Sequence, residues 1–363
     1  MFSPNFRITP SITKALMAIE ADRQAVAALP IDVAVLAGLR ETARLLATHY
    51  STQIEGNRLT QAQVNQAVVG TKFPGRERDE REVRHYYRTL EAVERLAAQP
   101  DPLAQTNVQT IHGLVMTGRP KPTPYRDAQN VIRNSASGAI VYLPPEAGDV
   151  PALMTDLVQW TNRQLTDDDG LPVPLTAAMA HYQLATIHPY YDGNGRIARL
   201  VTTLILHKTG YGLKGIYALE EYYARDLARY YQALTLGPSH NYYGGRAKAD
   251  VTEFLAYFCE GMAQAFNAVR ARATDAAGRG AQDHAGLLRQ LDPRQRRLLQ
   301  LFRRHGMATA AEMADHLAVS HRTVVQWSRK WVTSGFLALR DPSRKNRLYQ
   351  LGDAYRTLVE AAI

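Results

Sequence analysis

The chain has 363 residues, long enough for two or three domains and one sizeable core; its ordinary composition excludes a disordered or fibrous class. A single cysteine, Cys259, excludes an intrachain disulfide and fits a reducing cytoplasm, and no leader pattern or apolar span long enough for a bilayer is read, so no membrane partner is expected. The net charge is +9, and +7 of it falls between Leu291 and Ile363, where thirteen Lys/Arg meet six Asp/Glu; nucleic acid is therefore a partner to weigh for the tail alone.

Residues 1–100 read as an N-terminal helical region. Ser11 can cap a helix running to about Ala28, and Pro30 breaks it. A second helix, long and amphipathic, is expected from Ile31 to about Tyr50. It leads into Ser51-Thr52-Gln53-Ile54-Glu55-Gly56-Asn57, where Ser51 and Glu55 share a helical face and Gly56-Asn57 stop the helix. By itself Glu55 reads as a solvent-facing charge. Thr60, with Gln63 three residues on, signals another helix start. Arg76 to about Ala98 follows as a charged helix with an apolar stripe of Val83, Tyr87, Leu90, Val93 and Leu96. Its Arg/Glu face is expected to be solvated.

Residues 101–270 read as the catalytic core. Thr106 or Asn107 caps a helix containing His112, which is expected to be structural. Val131-Ile132 and Ala139 to Leu143 are β-prone on either side of a polar turn, Ser135 to Gly138, so a lone hairpin is expected. Val150 to Leu165 is a helix; Asp167-Asp168-Asp169-Gly170 lacks the ligand spacing of a calcium loop and reads as a solvated turn. Leu175 to Ile187 is an apolar helix carrying His181, read as a packing or hydrogen-bonding residue. It delivers His188-Pro189-Tyr190-Tyr191-Asp192-Gly193-Asn194-Gly195-Arg196-Ile197-Ala198-Arg199. Pro189 ends the helix, and Gly193 and Gly195 allow a tight loop and a close ligand. Loop amides and the N-terminus of the next helix, Ile197 to His207, make an anion cradle. Arg196 and Arg199 can fork onto phosphate, and Asp192 is a hard oxygen ligand for Mg²⁺ on a polyphosphate. His188 is the group suited to proton transfer near neutrality. The reaction indicated is phosphoryl or nucleotidyl transfer. Tyr217 to Leu234 reads as one tyrosine-rich helix, and Val251 to Ala268 as a closing helix.

Residues 271–286 read as a linker, with Ala271 to Gly280 small and polar and containing two glycines. In residues 287–363 the pattern is a helix from Leu287 to Arg304, a short helix from Ala308 to His316, a turn with Ser320 as N-cap, a basic helix from His321 to Thr333, and a strand at Arg347 to Leu351. That order resembles a winged helix-turn-helix. Arg322, Gln326, Arg329 and Lys330 would lie on or near the recognition helix, and Arg344, Lys345 and Arg347 in the wing, giving a DNA contact or, as such modules also do, a protein-interaction or dimer surface.

The stretch from His188 to Arg199 resembles the active-site motif of the Fic domain family, His-Pro-Phe-x-Asp/Glu-Gly-Asn-Gly-Arg-x-x-Arg, with Tyr190 in place of the phenylalanine. The resemblance implies a mainly α fold, a Fic-type helical core with a β-hairpin flap, here with a small C-terminal winged-helix domain added. It implies a protein adenylyltransferase that moves AMP from ATP to a Ser, Thr or Tyr hydroxyl of a target protein, or of itself, and releases pyrophosphate. His188 would take the hydroxyl proton and Asp192 would hold Mg²⁺. Asn194 and the amides around Gly193 and Gly195 would grip the α-phosphate, and Arg196 and Arg199 the β- and γ-phosphates. Ser51 to Gly56 resembles the family's inhibitory motif, Ser/Thr-x-x-x-Glu-Gly/Asn, so Glu55 would pair with Arg199 and block the γ-phosphate site. The flap would dock the target by strand addition, with Ile140 and Tyr142 as contacts, and Tyr242 or Tyr243 would face the adenine. A homodimer is a further expectation. The alternatives are a DNA-binding regulator that uses the core as a nucleotide sensor, or a relative that moves another phosphate-containing group or removes AMP, with Glu55 positioning water.

Overall fold

The computed structural model describes residues 2–133, 138–237, 239–280, 291–341 and 347–360. The chain falls into two compact units, residues 1–29 with 40–273, and residues 30–39 with 274–363.

The larger unit is helical. Helix α1 (Pro10–Ala28) is capped by Thr9 rather than Ser11: the Thr9 hydroxyl accepts from the Ile12 amide at 3.3 Å, and Pro10 takes the first turn where no amide is needed. Helix α2 (Val33–Ile54) starts after Ile31 because the Asp32 carboxylate accepts from the Ala34 amide at 2.8 Å. It runs past Tyr50 to Ile54, just before Gly56, whose φ of +90° takes the chain out of the helix. Thr60 and Gln63 form the expected reciprocal cap on α3 (Gln61–Val68). Next come α4 (Glu77–Ala97) and α5 (Gln105–Thr117). Asn107 does not cap α5 from outside. It sits inside the first turn and accepts from the Ala104 amide at 2.7 Å.

The hairpin forms as expected, from β1 (Ile132–Arg133) and β2 (Ile140–Tyr142), antiparallel with Ile132 opposite Tyr142; Ser135 in its turn lies outside the described residues. Helices α6 (Val150–Thr166), α7 (Val173–Ile187) and α8 (Asn194–Lys208) follow. Every residue of α7 except Val173 and Ala185 is buried. A helix buried on all sides is the centre of a core, and α7 packs on α6 and α8, while α8 packs on α4 and α5. The expected helix from Tyr217 to Leu234 is instead two, α9 (Glu220–Arg225) and α10 (Leu227–Leu234). Asp226 leaves the helical region (φ −138°, ψ 81°) and its carboxylate caps α10 through the Arg229 amide at 3.0 Å. Helix α11 (Thr252–Gly280) continues through the first ten residues expected as a linker, where alanines favour helix over loop. The rest of that segment, 281–286, lies outside the described residues. Cys259 is buried. Among the described residues no helix is long and apolar enough to cross a membrane.

The smaller unit contains α12 (Pro293–His305), β3 (Met307–Thr309), α13 (Ala310–Leu317), α14 (His321–Thr333), β4 (Leu337–Asp341), β5 (Leu348–Leu351) and α15 (Asp353–Glu360). Its sheet runs β3-β5-β4, antiparallel throughout. Strand β3 and helix α15 were not foreseen. Thr309 caps α13 with Glu312, so Ala308 belongs to the strand and not to the helix. Ser320 caps α14 as expected, accepting from the Thr323 amide at 3.2 Å. Leu298, Phe302, Met313, Val324, Trp331 and Phe336 form its core. Arg322, Gln326, Arg329 and Lys330 are exposed on α14. At spacings of four, seven and eight residues they share one face. Leu287, Arg344 and Lys345 lie outside the described residues, and Arg347 is exposed.

Candidate active site

The loop between α7 and α8 is closed by its own residues. Pro189 cannot continue α7, and His188 turns out of it in the left-handed region, φ 52° and ψ 59°, while its amide still donates to the Leu184 carbonyl at 3.0 Å. Gly193, at φ 82°, opens α8, which starts at Asn194 rather than Ile197. The amides of Gly195 and Arg196 therefore belong to the first turn, where helix donors are free for an anion. Asn194 has a structural role in addition to the one expected of it. Its oxygen accepts from the Tyr190 amide at 2.9 Å and its nitrogen donates to the Tyr190 carbonyl at 2.8 Å, so both ends of the side chain tie the loop together.

Two residues far away in sequence support the loop from behind. His112 stacks on Tyr190 with centroids 3.6 Å apart, and its Nε2 lies 3.1 Å from the Asp192 carbonyl. Burial lowers the His112 pKa, keeping the ring neutral. Arg126, buried, donates from Nε to the His188 carbonyl at 3.0 Å, from Nη1 to the Ala128 carbonyl at 3.2 Å, and from Nη2 to the Pro145 carbonyl. Its own amide donates to the Pro189 carbonyl at 2.9 Å. Neither support carries a local signature; only the loop's unpaired carbonyls, once folded, call for such donors.

The two motif arginines are both held by carboxylates. Among the described residues Arg199 is the largest fully buried side chain. Its Nη2 donates to Glu55 Oε1 at 2.7 Å and to the Ser51 carbonyl at 3.0 Å, and its Nε donates to the Ser51 hydroxyl at 2.7 Å. Burial opposes that charge, but the Glu55 carboxylate outweighs it and holds the guanidinium above its ordinary pKa. Glu55 reaches this position because residue 195 has no side chain: a Cβ there would stand 2.6 Å from Glu55 Oε1. Arg196 donates from Nη1 to Glu82 Oε1 at 2.6 Å and from Nη2 to Asp192 Oδ1 at 3.0 Å. Glu82 comes from the α4 face expected to be solvated, yet its side chain is only 10% exposed. Asp192 Oδ1 also accepts from the Gly193 amide at 2.6 Å, and the Asp192 side chain is 60% exposed.

Burial lowers the His188 pKa to about 4, opposed by its contact with the Ala185 carbonyl and assisted by Arg126, so the imidazole is neutral at pH 7 and can accept a proton. Of the hairpin residues, Ile140 is 49% exposed, whereas Tyr142 is buried and its hydroxyl donates to the Thr186 carbonyl at 2.7 Å. Tyr142 thus anchors the hairpin to the end of α7. Tyr242 is buried, and its amide donates to the Leu143 carbonyl at 3.0 Å; Tyr243 is exposed, and its hydroxyl accepts from the Glu146 amide at 2.9 Å. Both sit by the segment that leaves the hairpin. The tyrosine against the Glu55 turn is Tyr231, whose half-exposed ring carries a hydroxyl 3.4 Å from the Ile54 carbonyl. His181 is buried between the Thr202 hydroxyl at 3.1 Å and the Tyr230 hydroxyl at 2.9 Å, as a packing residue.

Residues 102–206 match the model of the Fic/DOC family. The "Protein adenylyltransferase Fic" of Drosophila grimshawi is 28% identical over 202 residues, 54% of this chain and 40% of that protein. The chain thus spans well under half the length of that curated relative. A Fic family protein from Desulfovibrio desulfuricans G20 has a similar fold, with a TM-score of 0.60 at 23% identity over 97% of this chain and 99% of that one. Fic-1 from C. elegans has a TM-score of 0.57 at 25% identity, covering 73% of each chain. The similarity to the Fic/DOC family is thus carried by residues 102–206, the stretch that contains α7, the His188–Arg199 loop and most of α8.

Proposed function

We propose that this chain is a protein adenylyltransferase restrained by Glu55. The observation that carries the reading is the buried Arg199–Glu55 pair, 2.7 Å apart, beside a neutral His188. His188 takes the proton of a Ser, Thr or Tyr hydroxyl as that oxygen attacks the α-phosphorus of ATP. The bond to the bridging oxygen breaks and pyrophosphate leaves. Amides of the first turn of α8 face the developing charge on the phosphate oxygens, and Arg199 takes the γ-phosphate once Glu55 has released it. Tyr231, beside the Glu55 turn, offers an aromatic face to the base, a better-placed candidate than Tyr242 or Tyr243.

A divalent cation fits Asp192. Mg²⁺ commonly uses one or two protein carboxylates plus substrate phosphates and water, and Asp192 presents a largely exposed carboxylate at the mouth of the cradle. When bound, Mg²⁺ would offset the charge of the polyphosphate. Ile140, on the exposed side of the hairpin edge, is suited to a target segment added as a strand.

The test is intact-mass analysis of the Glu55→Gly protein after incubation with each nucleoside triphosphate. A gain of one AMP from ATP, abolished by His188→Asn, is the expected result. No gain, or a gain from another nucleotide only, overturns the reading.

The smaller unit supports a second activity. The exposed basic face of α14 has the chemistry of a duplex-binding helix, in the manner of a winged helix-turn-helix. A duplex mobility shift that weakens with salt and disappears in Arg322→Ala/Arg329→Ala is expected. A shift unchanged in that variant refutes DNA contact through α14.

A further inference from the structure

We propose that Glu82 is a second restraint on the nucleotide site, holding Arg196 as Glu55 holds Arg199, and that Asn57 couples the two. The proposal rests on the reading of residues 188–199 as a polyphosphate site.

The geometry is a shared carboxylate. Glu82 Oε1 accepts from Arg196 Nη1 at 2.6 Å, and Glu82 Oε2 accepts from Asn57 Nδ2 at 2.9 Å. Asn57 stands two residues after Glu55, in the turn that ends α2. Its Nδ2 also donates to the Asp79 carbonyl at 3.0 Å, its Oδ1 accepts from the Leu59 amide at 3.1 Å, and its amide donates to the Thr52 carbonyl at 3.0 Å. The turn that presents Glu55 is thereby fastened to the helix that presents Glu82.

Charge and burial make Glu82 a competitor for Arg196. Two arginines here face three carboxylates, those of Glu55, Glu82 and Asp192. A polyphosphate therefore meets a resting charge of about minus one, not plus two, by formal counting. Both terminal nitrogens of Arg196 already face a carboxylate, while its Nε has no hydrogen-bond partner. A phosphate that takes both terminal nitrogens must displace Glu82 from Nη1 as well as Asp192 from Nη2. The side chains of Arg196 and Glu82 are only 7% and 10% exposed, so water and salt screen the pair little. Burial also raises the Glu82 pKa, the mark of a carboxylate kept in an unfavourable place by its partners.

The experiment is calorimetric titration of ATP with metal excluded by chelator, so that no turnover is needed. Glu82→Gln is expected to tighten ATP binding on the order of tenfold, a modest size for such coupling. Glu82→Asp, which keeps the charge, is expected to stay weak. Asn57→Ala touches neither arginine and is expected to tighten binding as well. It also serves as the test if Glu82→Gln fails to fold, because it leaves the Arg196 pair charged. If Glu55→Gly tightens binding while Glu82→Gln leaves it unchanged or weaker, Glu82 only supports the fold and the proposal falls. If Glu82→Gln tightens binding and Asn57→Ala does not, the coupling through Asn57 falls. If Glu55→Gly, Glu82→Gln and Arg199→Ala all leave ATP binding unaltered, the failure lies with the polyphosphate site itself.

Discussion

Replacing Glu55 by glutamine keeps the shape of the side chain and removes its charge. Removing one partner of a fully buried ion pair costs about 3–5 kcal/mol. Two features reduce that here. The Glu55 side chain is 25% exposed, and Ser51 still gives Arg199 two acceptors, at 2.7 and 3.0 Å. A cost of about 1–2 kcal/mol is expected in the absence of nucleotide, which lowers the melting temperature by several degrees for a unit of this size. ATP should then restore more than was lost. The freed Arg199 can take a phosphate, and ligand at about 100 times its dissociation constant contributes about 2.7 kcal/mol. The assay is thermal unfolding of the wild type and Glu55→Gln with and without Mg-ATP. The variant is expected to melt lower alone and to gain more on adding nucleotide. Equal melting temperatures and equal ATP shifts would refute the claim that Glu55 occupies Arg199 in solution.

Arg126→Ala leaves the carbonyls of His188, Ala128 and Pro145 without their donor. A loss on the order of 3 kcal/mol is expected from the denaturation midpoint, with turnover falling as His188 loosens, and an unchanged midpoint would remove Arg126 from its supporting role. Burial lowers the pKa of His181 to about 3, with Arg199 adding to the effect. The unfolded chain therefore binds this proton first as pH falls, and the stability present above about pH 6.5 drains away between about 6.5 and 3. Urea midpoints measured across that range should fall less steeply in His181→Gln than in the wild type; identical slopes would show that His181 does not contribute.

What the sequence made legible is what local chemistry dictates. Pro189 and Gly193 mark the ends of two helices within a few residues, and Thr60 and Gln63 close a cap across one turn. Glu55 was legible only by its resemblance to a known motif, since a carboxylate at a helix end is ordinarily solvated. Glu82, His112 and Arg126 were not legible as parts of the site, because their partners lie 114, 80 and 62 positions away in the chain. The Asn194 clamp on Tyr190 was not legible, because the loop closure that uses its amide exists only after folding. The break at Asp226 was hidden by a tyrosine pattern that stays periodic across it, and β3 by its length of three residues.

The backbone of His188 limits how the base can be removed without altering its surroundings. At φ 52° the position disfavours most residues with a Cβ, while glycine, asparagine, aspartate and the histidine present tolerate it best. A silent version of the site is therefore better made with asparagine or glycine than with alanine or valine. The first two abolish proton transfer and leave the cradle intact, whereas the others add strain to the same loop and mix two effects in one measurement. The same rule orders the routes by which a descendant of this chain could lose its chemistry while keeping its ligand: the histidine would give way to asparagine or glycine first.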